Sequence, residues 1–123
     1  MITKITMRKA IIADDDEAVR EVIGAMISDY FTVIYTSNGK EAVEIYRMLK
    51  PDLVLMDILM PEVDGIQATK EIKKMDPDAK IIAITAYASS KGNEILSAGA
   101  LDVIEKPISK SRLIEKIKKY VTI

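Results

Sequence analysis

Four consecutive apolar residues, Leu53-Val54-Leu55-Met56, entered through Pro51-Asp52 and ended by Asp57, constrain this chain more than any other stretch. A strand with one wet face alternates apolar and polar residues. An unbroken run of this kind is buried on both faces, as in the middle of a parallel sheet. Ile58-Leu59-Met60-Pro61 and then Asp64-Gly65 close the loop behind it. In open α/β sheets, ligands sit beyond the carboxyl ends of the strands. Asp57 therefore stands where chemistry is placed, unless it only caps the loop or the next helix.

The rest of the chain supplies the partners that such a strand needs. Ala10-Ile11-Ile12-Ala13 is a first buried strand, ended by Asp14-Asp15-Asp16-Glu17. Val19, Ile23, Met26, Ile27 and Tyr30 then fall on one helical stripe, with Asp16 as N-cap. Phe31–Thr36 is rich in β-formers and is broken by Ser37-Asn38-Gly39. Ala42, Ile45, Tyr46 and Leu49 give a second helix, stopped by Pro51. A third helix runs from about Asp64 to Met75, with Ile66, Thr69, Ile72 and Met75 inward, and ends near Pro77. Lys80–Thr85 is a fourth strand. Ala88–Gly99, with Ile95 and Leu96 as its large apolar residues, Gly92 and several serines, is a weak helix by propensity. Leu101–Glu105 is a short fifth strand before Lys106-Pro107. A last helix from near Ser109 buries Leu113, Ile114, Ile117 and Val121 and turns Lys110, Arg112, Lys116, Lys118 and Lys119 to water. Strand–helix alternation repeated five times implies an α/β parallel sheet with helices on both faces.

Composition narrows the chemistry. With 123 residues, half of them apolar, the chain makes one domain, expected over 1–123 with nothing appended. The basic start, Met1 to Lys9, lacks a signal core and serves as a lead-in to the first strand. No apolar run spans a bilayer, and a net charge of −1 gives no field that draws the chain onto nucleic acid or anionic lipid. The absence of cysteine removes thiolate and zinc–sulfur chemistry, and the absence of histidine removes the Ser-His-Asp triad and imidazole ligands. The methionines are core filler. What remains is carboxylates, hydroxyls, lysine and an oxygen-loving metal.

Strands one, three, four and five end in Asp14-Asp15, Asp57, Thr85 and Lys106. In a parallel sheet these ends share one edge, so the residues converge on one pocket. Clustered carboxylates repel unless a cation neutralises them, and oxygen ligands without nitrogen or sulfur suit Mg²⁺ or Mn²⁺. A hydroxyl and a lysine neutralise remaining phosphoryl oxygens, leaving one carboxylate to attack phosphorus. The residues thus point to Mg²⁺-assisted phosphoryl transfer to an aspartate. Asp16 and Glu17 are helix-start acids favoured by the dipole rather than metal ligands.

The acidic pair after Ala10–Ala13, the segment Met56-Asp57-Ile58-Leu59-Met60-Pro61-Glu62-Val63-Asp64-Gly65, Thr85-Ala86 and Lys106-Pro107 together resemble the receiver domain of two-component response regulators. The resemblance covers essentially the whole chain. It implies a (βα)5 flavodoxin-like, doubly wound parallel sheet with strand order 2-1-3-4-5. By it, Asp57 matches the phosphoacceptor, and Asp14, Asp15, Asp57 and the backbone carbonyl of Leu59 match the Mg²⁺ site. Thr85 matches the switch hydroxyl, Lys106 the lysine that binds the phosphoryl group, and Pro107 follows a cis peptide bond.

The resemblance also implies a cytoplasmic module without an output domain, phosphorylated by the phosphohistidine of a sensor histidine kinase. Such a module is not a turnover enzyme. It passes its signal to a downstream protein, as a monomer or a phosphorylation-dependent dimer, without binding nucleic acid or inserting in a membrane. The segment Ala86–Gly99 is the expected moving part. One departure is Val103, where the family usually has Tyr or Phe three residues before the lysine. A receiver that binds partners without phosphorylation is one alternative. A haloacid-dehalogenase-type phosphatase would use an Asp-x-Asp like Asp14-Asp15-Asp16, but its cap and late acidic pair are missing. A flavodoxin would need a hydroxyl- and Gly-rich phosphate loop after strand one, which is missing too.

Overall fold

The computed structural model describes residues 8–123. The expected lead-in, Met1 to Lys9, lies outside the described residues as far as Met7, and Lys9 already belongs to the first strand. Strands and helices alternate as β1 (Lys9–Ala13), α1 (Glu17–Ile27), β2 (Thr32–Thr36), α2 (Gly39–Leu49), β3 (Leu53–Met56), α3 (Gly65–Met75), β4 (Ile81–Thr85), α4 (Ala88–Ala98), β5 (Asp102–Glu105) and α5 (Lys110–Lys118). All pairings are parallel, in the order β2-β1-β3-β4-β5, as the resemblance implies.

β1, β3 and β4 hold the middle because their side chains are apolar on both faces. Ile11, Ala13, Val54, Met56, Ile81 and Ala83 meet Ala42, Tyr46, Ala68, Ile72 and Ile95 from α2, α3 and α4. The alternate residues Ala10, Ile12, Leu53, Leu55, Ile82 and Ile84 meet Ile23, Ile27, Leu113 and Ile117 from α1 and α5. Each fully buried aliphatic side chain of this size contributes about 1.5–3 kcal/mol relative to exposure. The edge strand β2 is only partly covered, which explains its mixed sequence TVIYT.

Four helices start at side-chain caps: Asp16, Asn38, Asp64 and Ser109 each accept a backbone N–H of the first turn. α4 has none, since Tyr87 precedes it, in keeping with its weak propensity. α2 ends at Lys50, whose left-handed backbone (φ 43°) turns the chain into Pro51.

Several expected burials and one expected exposure do not hold. Leu49 and Met75, placed inward by periodicity, are 40% and 38% exposed, because each closes the last turn of its helix. Met48 is exposed on α2, so only some of the methionines fill the core. Lys116 does not face water freely: it lies 3.5 Å from Asp102 and is mostly covered. Leu101 stays outside β5 and is partly exposed. No helix among the described residues is long and apolar enough to cross a membrane.

Candidate functional site

The sheet register carries β1 and β3 to the same edge in step, with Ala13 paired to Met56. The residues that follow, Asp14 and Asp57, are therefore side by side, and the Asp57 N–H donates to the Ala13 carbonyl at 2.9 Å. Carboxylate oxygens of Asp14, Asp15 and Asp57 all lie within 4.8 Å of one another. Asp14 and Asp57 are buried and Asp15 is exposed, so the cluster opens to solvent on the Asp15 side.

Lys106 closes the cluster from β5. Its Nζ donates to Asp14 Oδ2 at 2.6 Å and to Asp57 Oδ2 at 3.2 Å. The other Asp57 oxygen accepts the Ile58 N–H at 2.8 Å. The Lys106–Pro107 peptide bond is cis, as the resemblance implies. Burial first, then the Asp14 charge, push the Asp57 carboxyl above its usual range, against the opposing pull of Lys106 and the Ile58 N–H. For Lys106 burial works downward, but its bonds and charge contacts with Asp14 and Asp57 outweigh it and hold the ammonium above its usual range.

Thr85 ends β4, fully buried, and its carbonyl accepts the Lys106 N–H at 2.9 Å. Its hydroxyl accepts the Tyr87 N–H at 3.1 Å, so it is tied to the start of α4. The structure thus brings Asp14, Asp15, Asp57 and Lys106 together and sets Thr85 one strand over, with its oxygen engaged elsewhere. Leu59 and Tyr87 lie on the loops after β3 and β4 with side chains 45% and 47% exposed. Asp16 caps α1 through the N–H groups of Ala18 and Val19, as a helix-start acid should.

Two neighbours have roles beyond what the sequence assigned: Gly65, expected only to close the loop, and Arg20, which no motif singled out. Gly65 lets the start of α3 press on the Asp57 peptide: its N–H donates to the Ile58 carbonyl at 2.7 Å, and a Cβ there would meet the Asp57 carbonyl oxygen at 1.9 Å. Arg20, one turn into α1, donates from Nη1 to the Asp14 carbonyl at 2.7 Å. A basic residue on the first full turn behind an acidic triplet was the available signal. Beside Lys106, an apolar groove of about 520 Å³ runs between α1 and the Pro107-Ile108 loop, lined by Val19, Val22, Ile23 and Met26.

The structure is thus a doubly wound α/β domain that presents three carboxylates and a bridging ammonium at the carboxyl edge of its sheet. Residues 10–118 match the response regulator receiver domain, and the chain belongs to that family. It is 44% identical over 115 residues to the chemotaxis protein CheY of Thermotoga maritima, covering 91% of this chain and 96% of that one. Among solved structures it is similar to the response regulator domain of Thermotoga maritima CheB (TM-score 0.86, 32% identity, 96% of this chain and 98% of that). It is also similar to the chain in the CheX-CheY-BeF3-Mg²⁺ complex of Borrelia burgdorferi (TM-score 0.81, 29% identity, 91% of this chain and 87% of that).

The pocket fits a divalent cation. Its donors are hard oxygens without nitrogen or sulfur, and the exposed Asp15 side leaves room for the waters that Mg²⁺ retains.

Proposed function

We propose that this chain is a cytoplasmic signalling receiver that takes a phosphoryl group onto Asp57 from a sensor histidine kinase. The single observation that carries the reading is the Lys106 ammonium bridging Asp14 and Asp57 within a three-carboxylate cluster, in a chain of the receiver family. A Mg²⁺ or Mn²⁺ ion held by Asp14, Asp15, Asp57 and the Leu59 carbonyl supplies, when bound, positive charge for the phosphoryl oxygens. Support for that ion comes from the Borrelia relative, whose complex contains Mg²⁺ and BeF3.

The chain's own residues do the rest. The Asp57 oxygen attacks phosphorus and forms the acyl phosphate O–P bond as the P–N bond of phosphohistidine breaks. The electron pair leaves with the imidazole nitrogen, which takes up a proton. Lys106 gives up part of its hold on Asp57 and pairs with a phosphoryl oxygen instead. The Thr85 hydroxyl exchanges the Tyr87 N–H for another phosphoryl oxygen, and this pulls on the start of α4. The partner surface that responds is α4 with β5 and α5. The apolar groove beside Lys106 is the surface that a donor protein meets as it approaches Asp57. The product is a phosphorylated carrier, not a turned-over substrate.

Acetyl phosphate with Mg²⁺ should add one phosphoryl group, detected by intact mass, and Asp57→Asn should abolish it. Full labelling of Asp57→Asn would overturn the assignment.

A further inference from the structure

We propose that Arg20 is a positioning residue for the cation site, acting through the peptide that joins Asp14 to Asp15. This rests on the cation reading above. Asp14 is anchored at every polar atom: its N–H donates to Thr36, its carbonyl accepts from Arg20, and its carboxylate accepts from Asp16 N–H and Lys106. Asp15 is different. Its carboxylate accepts no hydrogen bond and makes no ion pair among the described residues, and it is exposed. The main chain therefore sets the Cα–Cβ direction from which the Asp15 carboxylate reaches the cluster.

The Asp14 carbonyl is the oxygen of the peptide that leads into Asp15. It lies past the last β1 residue, Ala13, and so has no ladder partner. The half-buried Arg20 guanidinium supplies the donor, and the Arg20 N–H is itself fixed to the Asp16 carbonyl at 3.0 Å by α1. Helix α1 thus holds the peptide plane from which Asp15 projects. Arg20 makes no ion pair among the described residues, although it is permanently charged and bonds the main chain of an acidic segment. Arg20 therefore takes no carboxylate oxygen of the cluster away from a cation.

Two effects of Arg20 on a divalent ion oppose each other. Its charge repels the ion, and its hydrogen bond orients the ligands. Outer partners that orient ligands are typically worth about 10–100-fold in metal affinity. The guanidinium is bonded to a carbonyl rather than lying in the cluster, so orientation prevails. Removing Arg20 should weaken binding even though it removes a positive charge.

The test is calorimetric titration of the chain with MgCl₂ and MnCl₂ for the parent, Arg20→Met and Arg20→Lys, with thermal midpoints taken free of metal. Arg20→Met should raise Kd about tenfold, at the low end of the outer-partner range. Arg20→Lys, which keeps a donor on a long stem, should recover most of the loss, and the metal-free midpoints should differ too little to explain it. Equal or tighter binding by Arg20→Met overturns the proposal. If Arg20→Met does not fold, Arg20→Gln replaces it, and a Kd equal to the parent's overturns it in the same way. A parent that binds neither ion defeats the cation reading itself, and Arg20's role with it.

Discussion

Adding one methyl group at Gly92 and at Gly65 should move stability in opposite directions. Gly92 is buried in the interior of α4, and a Cβ there would lie 3.7 and 3.8 Å from the two Val103 methyls, an ordinary contact. Alanine is favoured over glycine in a helix interior by about 1 kcal/mol, and the new methyl gains apolar contact as well. Gly92→Ala should therefore stabilise by about 1–1.5 kcal/mol, which raises the midpoint of a domain of this size by about 3–6 °C. At Gly65 the same methyl meets the Asp57 carbonyl oxygen at 1.9 Å and its carbon at 2.8 Å, both backbone atoms that cannot rotate away. The start of α3 would have to back off, stretching the Gly65–Ile58 hydrogen bond. Such overpacking costs about 1–3 kcal/mol, and here the upper end applies. Urea melts of both variants, with the slope checked against the parent, read the two effects. A Gly92→Ala variant less stable than the parent would refute the view that Val103 leaves room at α4. A neutral Gly65→Ala would refute the view that α3 is wedged against the Asp57 peptide.

If Asp57 carries an acyl phosphate as proposed, Leu59 and Tyr87, two residues beyond Asp57 and Thr85, are the side chains expected to flank the path of an attacking water, and neither is an amide or carboxylate. Loss of the phosphoryl group, followed by mass, should be several-fold faster in Leu59→Asn and in Tyr87→Ala than in the parent. Equal rates in all three would dismiss shielding by these side chains. Asp102 gives the pH test. Burial works against its charge, but the Val103 N–H, the Tyr120 hydroxyl and Lys116 outweigh it and hold the carboxyl below its usual range. A depressed folded-state value means stability that is present above the ordinary pKa of 3.8 and lost as pH falls through the lower one. Asp102→Asn should cost about 1 kcal/mol at pH 7, the worth of a hydrogen bond, and the gap should close in strong acid. A gap unchanged in acid would mean that charge plays no part.

The inner strands were legible because burial on both faces leaves unbroken apolar runs, and Leu53–Met56 shows it most plainly. The polar residues ending those runs were legible for the same reason: Asp14 and Asp57 interrupt apolar segments at equivalent register. Helix faces were legible except at their ends. Periodicity assigns Leu49 and Met75 to the core, but a stripe does not reveal where the packed partner stops. Long-range polar pairs left no local trace. Lys116 meets Asp102, and the Tyr46 hydroxyl bonds Asp76 at 2.6 Å, only because the fold brings those elements together. Arg20 is the extreme case: a basic residue behind the acidic triplet marks the neighbourhood, but its target is a backbone carbonyl, which every residue carries, so the pattern does not name the partner.

The pocket also divides into a tied half and a lightly tied half. On the β1–β3 side, Asp14 is bonded at every polar atom, and Asp57 is bonded through its N–H and both carboxylate oxygens. On the β4–α4 side, the Thr85 hydroxyl holds the Tyr87 N–H of a helix that lacks a side-chain cap and carries Gly92 in its middle. If Asp57 is phosphorylated, only the second half can yield at low cost, since weakly anchored elements open most easily. Valine at 103 then matters in a specific way. It has no ring to swing, and its methyls lie under Gly92 with space to spare. If α4 moves over β5 as proposed, it does so across a small contact without a ring to displace, and filling that contact with the Gly92→Ala methyl should slow the movement as it stabilises the fold.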